Sequence, residues 1–579
     1  MRLLPCSVPT MSSLLRVGWA ARPCRSGRRL LEQQHRQKRL LTTTPPSQTF
    51  SSLEYPLATE APVVTQTTAK EAAKQETLTK PRRPDDAEFS EIEIEHSRKL
   101  QREHLPTSLQ DHFEWSKQPI SKEIPSGIPP NVESSSLEIP ETHLTLLANG
   151  IRVVSQETYG QVCTVGVLGD FGSRQETVLG TSHLVEVLGF SATRANPDSN
   201  VIQENLQDWG ATSFVNSGRE QTLWCLDVLR PNVHRAMELL QQVSLEPLLR
   251  EHDLEQAKQT IFYQAQDTPP ELLVSEAIQQ AAYGEDQQLG KPHFCPIGAI
   301  SSLTPGAARD YLESQLWNNP ERVVVAGAGI GHEELVDMAQ HHFGHLTQST
   351  PNKTVLSQYR GGGYTAVPAT PTIDGLTRVA VALEVGGWHS DDLVPACVLQ
   401  TLLGGGNSFS AGGPGKGMYS RLYQQVLNRY HWAESAEAFT SFHGESGLLG
   451  ISGSSKPARS RDLVGVFSKH LLRLGDQQVS DEELNRARNM LKCNVLTQLE
   501  SRLVLFEDMG RQILTFGKRE DNATMCKKID AVTKEDLQEL VQRALQKPPT
   551  VCAVGDNVSL VPSHADVVGW FGSKAASSS

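Results

Sequence analysis

From residue 142 onward the apolar positions fall into two periods. Thr142-His143-Leu144-Thr145-Leu146, Ile151 to Val154 and Val162 to Leu168 alternate as strands do, and Asn149-Gly150 between the first two is a hairpin signal. Helical spacing follows at 181–192, 199–209, 231–245, 251–266 and 270–283, and a strand-like run at 322–327. Strands interleaved with helices predict an α/β fold of α+β layers. The order then recurs. Val165 to Leu168, Gly172 and Leu184 to Leu188 correspond to Val379 to Ala382, Gly386 and Val398 to Leu402. Glu255 to Lys258 corresponds to Asn485 to Arg488, Ala282-Tyr283-Gly284 to Thr515-Phe516-Gly517, and Val324 to Ala326 to Cys552 to Val554. The offsets cluster, so the body is read as two copies of a unit of about 220 residues. The expected domains are 139–350 and 377–573, joined by 351–376 with its prolines and Gly361-Gly362-Gly363.

The first 140 residues lack this patterning. Residues 1–50 hold nine Lys or Arg and one acid, Glu32, whereas the whole chain carries a net charge of −12. A basic head on an acidic body reads as a mitochondrial targeting segment, with Met11, Leu14, Leu15 and Trp19 on one helix face and arginines beyond it. Its expected extent is 1–41. Residues 42–138 are rich in Thr, Pro, Ser, Glu and Lys, bury too little apolar surface to offset ordering entropy, and are read as a disordered linker. No run reaches the ~18 apolar residues of a membrane span. The nine cysteines are scattered singly, without a C-x-x-C pair, which argues against a disulfide framework or a zinc ribbon.

Seven of the fourteen residues from Gly404 to Gly417 are glycine. Backbone freedom concentrated in one internal segment predicts a mobile binding loop. It is not a phosphate loop: Gly415-Lys416 is followed by Gly417 where Ser or Thr would hold magnesium. Gly327-Ala328-Gly329-Ile330-Gly331 lacks the third glycine of a dinucleotide fingerprint, since His332 stands there. Nucleotide and nucleic acid are therefore not expected ligands.

His183-Leu184-Val185-Glu186-Val187 approximates the inverted zinc motif H-x-x-E-H, in which two imidazoles one helical turn apart bind metal and the glutamate acts as general base. Val187 stands in place of the second imidazole and donates nothing to a metal.

The segment Gly180 to Thr193, the glycine-rich loop running on through Val426-Leu427-Asn428-Arg429-Tyr430-His431-Trp432, and the two-copy layout together resemble the pitrilysin-type (M16) metallopeptidases over about 140–570. Within that family the chain is similar to the non-catalytic subunits of presequence-processing enzymes. The resemblance implies that the third zinc ligand, a glutamate in active members, falls at Gln264, a neutral amide. Asp267 lies one turn on, and nothing nearby substitutes for Val187. No zinc, no cofactor and no catalysis are then expected of this chain alone. His183 and Glu186 would serve structure, and zinc would sit in a beta subunit with which the chain forms a heterodimer. The implied role is capture of basic N-terminal presequences of imported precursors in the mitochondrial matrix. Peripheral association with the inner membrane is left open. The expected substrate loop comprises Gly404, Gly405, Gly406, Phe409, Gly412, Gly413, Gly415, Lys416 and Gly417. Glu384, Asp391, Asp392, Glu434 and Glu437 are candidate partners for presequence arginines, because an acidic body attracts basic peptides. The alternative the resemblance leaves open is a core structural subunit of the cytochrome bc1 complex, which shares the fold.

Overall fold

A computed structural model describes residues 140–158, 160–347, 354–368, 370–407 and 418–572. The targeting segment 1–41 and the linker 42–138 lie outside the described residues, as do Phe409, Gly412, Gly413, Gly415, Lys416 and Gly417.

Two six-stranded sheets organise the body. The first contains β1 (Thr142–Leu146), β2 (Arg152–Gln156), β3 (Val162–Gly169), β4 (Thr212–Ser217), β5 (Thr222–Leu229) and β6 (Val323–Ala328), in the order β1-β2-β6-β3-β5-β4. The second contains β7 (Gly362–Ala366), β8 (Thr377–Val385), β9 (Gly405–Asn407), β10 (Ala433–Phe442), β11 (Gly447–Ser455) and β12 (Thr550–Val554), in the order β7-β12-β8-β11-β10-β9. The β2-β6 and β7-β12 pairs are parallel and all others antiparallel. The sheets are therefore copies of one topology, each with an added edge strand, β1 in one and β9 in the other. Leu168 sits opposite Val324, whereas Ala382, its counterpart, sits opposite Thr550 rather than Cys552. A slip of two residues keeps every side chain on its face, so the repeat survives it.

The segment 351–376, expected to join the halves, supplies β7, paired in parallel with β12. Gly362 and Gly363 of its Gly-Gly-Gly run open this edge strand, and Gly361, at φ +66°, precedes it. The hairpin β4-β5, including the apolar run Leu223 to Val228, was not anticipated among the helical signals.

One face of each sheet packs on helices of its own half. On the first sheet these include α1 (Thr181–Leu188) and α2 (Glu251–Gln266), around Val165, Val167, Trp224 and Leu226. On the second they include α4 (Leu393–Leu403), α5 (Ser460–Asp476) and α6 (Asp481–Leu499), around Val379, Val381, Leu449 and Ile451. The opposite faces are covered by exchange. Helix α3 (Pro270–Tyr283), from the first half, buries Val274, Ile278 and Tyr283 against Ala380, Ala382, Leu448 and Cys552 of the second sheet. Helix α7 (Arg502–Phe516), from the second half, buries Leu505, Phe506, Met509 and Ile513 against Val154, Leu168, Leu223 and Val324 of the first. Both helices end on a glycine of positive φ, Gly284 (+84°) and Gly517 (+69°), the matched pair seen in the repeat, and Gly517 alone of the two forms a left-handed αL cap.

The halves are also pinned by charge. Arg174 is buried between Glu220, at the β4-β5 turn, and Glu445, at the β10-β11 turn, with its Nη2 2.8 Å from Glu445 Oε1 and 2.8 Å from the Val355 carbonyl. Although burial opposes ionisation, the adjacent His443 (3.8 Å), the Arg174 guanidinium and the Gly444 N–H hold the Glu220 carboxyl down at about 2.

Candidate functional site

The degenerate metal motif lies on α1, beside edge strand β4. The helix starts at Gly180, whose φ of +86° and lack of a side chain let the backbone approach Cys295; a Cβ there would lie 2.3 Å from Cys295 Sγ. Glu176 accepts hydrogen bonds from the backbone N–H groups of Gly180 (3.0 Å) and Ser182 (2.9 Å) at this helix start, where unpaired donors gather. Burial pushes its carboxyl up to about 7.

The close approach fixes His183. Its Nδ1 accepts from the Cys295 backbone N–H at 3.2 Å, so the ring proton resides on Nε2, which donates to Gln264 Oε1 at 3.0 Å. Phe294 packs edge-on against the ring, and burial, then the neighbouring His293, lowers the imidazole to about 4. His183 is thus neutral, with both nitrogens engaged by protein. Val187, one turn along, packs into the apolar core of the first half. Asp267 caps the C-terminal end of α2. The residues present do not fit a catalytic zinc: one imidazole is held by an amide, the second is an isopropyl group and the carboxylate is absent. Among the described residues, no group of three or more His, Cys, Asp or Glu could hold a metal ion.

Glu186 has acquired a different partner. Its Oε2 accepts from the backbone N–H of Ser217, the last residue of β4, at 3.0 Å, and burial pushes its carboxyl up to about 7. His293 Nε2 faces the carbonyl of the same Ser217. Both outward backbone groups of this edge residue are therefore occupied from within the chain. The repeat provides a counterpart: Gln400, equivalent to Glu186, donates to the carbonyl of Ala438 on β10 (3.3 Å) and accepts from Thr440 (3.0 Å). In each half the same helix position ties the helix to the neighbouring strand. The repeat offset of 214 residues pointed to Gln400, but its polar character alone did not.

The loop glycines divide. Gly404, Gly405 and Gly406 belong to the framework: Gly405 and Gly406 lie in β9, which pairs with β10, the Gly404 carbonyl accepts from the Ala438 N–H (2.8 Å), and Gly405 donates to Ser420 Oγ (3.0 Å). Gly405 has φ +105°, and a Cβ there would lie 2.0 Å from the Ala436 carbonyl oxygen. Glycine at this point is required by strand contact.

The five candidate acids do not form one cluster. Glu384 is held by Lys547 (2.6 Å) and Ser446 (3.2 Å). Asp392 pairs with Arg543 at 2.5 Å, and it lines with Asp391 a cavity of about 760 Å³ that also contains Trp388, Phe516 and Lys518. Glu434 and Glu437 lie elsewhere, in a cavity of about 340 Å³ beside β9. Glu384 and Asp392 thus already have counter-ions, whereas Glu434 and Glu437 have no partner among the described residues.

Residues 152–297 match the family model for insulinase (peptidase family M16), and residues 303–491 that for the peptidase M16 inactive domain. The mitochondrial-processing peptidase subunit alpha of Homo sapiens is 34% identical over 478 residues, covering 79% of this chain and 90% of that protein. That of Caenorhabditis elegans is 32% identical, covering 76% and 90%. The probable mitochondrial-processing peptidase subunit alpha-1 of Arabidopsis thaliana is 33% identical, covering 77% and 87%. Among solved structures, a chain of complex III2 from Candida albicans, Inz-5 bound, superposes with a TM-score of 0.62 at 18% identity, covering 74% of this chain and 99% of that one. At that identity the likeness shows the shared fold.

Proposed function

The chain belongs to the M16 peptidase family, among the mitochondrial-processing peptidase alpha subunits, and from that premise we propose that it captures basic leaders for cleavage by a zinc-bearing partner subunit. The observation that carries this reading is the rebuilt metal site. His183, Val187 and Gln264 have become a hydrogen bond and an apolar contact, and Glu186 a strand tie, inside a fold otherwise kept whole. A chain that preserves the peptidase scaffold but not its metal ligands is suited to hold substrate and partner.

Capture then depends on field and adaptability. The chain's net charge of −12 attracts basic, amphipathic leaders and raises encounter rates, an effect that weakens with salt. The glycine-rich segment beyond β9 adapts to leaders lacking a common sequence, with Phe409 as the partner for their apolar face. The relatives' names place them in mitochondria. Our reading puts this chain in the matrix, where leaders emerge. No helix among the described residues is long and apolar enough to cross a membrane.

The test is reconstitution. The chain and a zinc-bearing beta homologue should each fail to cut a basic leader, and the mixture should cut it. Hydrolysis by the purified chain alone, or an inert mixture, would overturn the proposal. Co-purification with cytochrome subunits in place of a soluble zinc peptidase would favour a structural role in complex III.

A further inference from the structure

The second sheet has one face that α3 only partly covers. Over β12, β8 and Leu448 of β11 the helix buries apolar side chains, but Ser452 and Ser454 of β11 with Ser435 and Glu437 of β10 present a polar floor. This floor forms the cavity of about 340 Å³ at the root of the glycine-rich segment. The equivalent face of the first sheet carries Phe214 and Cys225 against α7. The second sheet has Ser435, Glu437, Ser452 and Ser454 there, so the opening follows from sequence.

Among the described residues, Glu437 stands on this floor without a counter-charge. Its cross-strand neighbours are Ser452 on β11 and Gly405 on β9, and the same-face residues along β10 are Ser435 and Phe439. None is a cation. The nearby guanidinium, Arg378, is already held by Glu271 (2.7 Å) and Asp374 (2.6 Å). Glu437 is open to water through the cavity mouth but walled by protein elsewhere, and this desolvation pushes its carboxyl above the usual range. A second carboxylate is brought in by a strand irregularity. The β10-β11 register shifts between Ala433 and Ser435, interrupting the alternation that would send Glu434 and Glu437 to opposite faces, and both line the cavity. The walls add serine hydroxyls that can accept hydrogen bonds and the apolar Val274 and Phe439.

We infer that this cavity is a subsite for one cationic side chain of a bound peptide, with Glu437 as its principal partner and Glu434 as a second acceptor. A cleft of about 340 Å³ has room for one extended arginine or lysine side chain. A guanidinium suits the site best. Its planar fork reaches two carboxylates at once, and its stem lies along Val274 and Phe439. The inference deepens the proposed capture of basic leaders and rests on that reading only for which peptide owns the cation.

The test has two arms, both with the full chain and the isosteric variant Glu437→Gln. The first titrates argininamide and follows binding by calorimetry. Saturable binding to the wild type, weakened about tenfold in the variant, is expected. Equal binding to both proteins, or none to the wild type, would overturn the subsite. The second arm measures anisotropy of a labelled basic leader and of versions in which each arginine in turn is replaced by neutral citrulline. One arginine should matter about tenfold less in the variant than in the wild type, while the other replacements cost the same in both. If all replacements act equally in both proteins, the subsite does not serve leaders. A first arm that succeeds beside a leader that never binds would retain the cation site and reject the leader-capture reading.

Discussion

At the residue scale, the rebuilt metal site makes its own titration predictions. Glu186 has a folded-state value of about 7 against an ordinary 4.5, so the folded chain holds a proton there that the unfolded chain has released. Its contribution therefore falls as pH rises from about 4.5 to about 7. His183, lowered to about 4 from 6.5, acts in the other direction: stability rises as pH climbs through that interval. Replacing Glu186 by Gln keeps an acceptor for the Ser217 N–H and removes one slope. The variant should gain about 2–3 kcal/mol relative to the wild type between pH 5 and pH 8, measured by denaturant unfolding at both. A pH-independent difference would contradict the buried assignment. Gln264→Glu puts a carboxylate against the His183 Nε2–H and should raise the imidazole's pKa clearly above about 4, visible in its ring-proton NMR shifts.

At the scale of elements, Arg174 joins two turns from different halves. Arg174→Ala leaves Glu220 and Glu445 facing each other without their cation, and should cost about 3–5 kcal/mol in unfolding free energy. Gly405→Ala forces a side chain into the Ala436 carbonyl and should detach β9, costing about 1–3 kcal/mol and loosening the start of the glycine-rich segment. Amide exchange at the β9-β10 pairing would report it. The sequence was most readable where periodicity was local: the strands at 152–156 and 162–169, the helix 251–266 and the swapped helix 270–283 lie close to where apolar spacing placed them. It was least readable where a strand's identity depends on a distant partner. Gly362–Ala366 has no apolar alternation, and it becomes a strand only because β12 pairs with it. That Val187 and Gln264 are poor metal donors was visible, since donor chemistry is a property of the residue. The new tasks of Glu186 and His293 were not, because both act on the backbone of Ser217, and no side-chain pattern records such a contact.

At the scale of the whole molecule, neither repeat is complete alone. Each sheet is closed by a helix of the other half, so residues 140–347 expressed alone lack α7 and expose Leu168, Leu223 and Val324. They should aggregate or remain molten, as should 354–572 without α3, whereas co-expression should give soluble, folded protein. Circular dichroism and light scattering of the separate and paired fragments would decide this. Thermal unfolding of the intact body should likewise show one transition, because opening either half strips the other.

The exchange also sets a timetable. A ribosome or a translocation channel delivers a chain from its N-terminus, and the first sheet is paired once β6 has emerged near residue 328. The helix that covers it begins at Arg502, so at 5–20 residues per second the outer surface of that sheet waits roughly 10–35 s for its cover. Throughout that interval a nascent protein displays a greasy plane whose own cover has yet to arrive, a surface on which a holdase can sit until the tail follows.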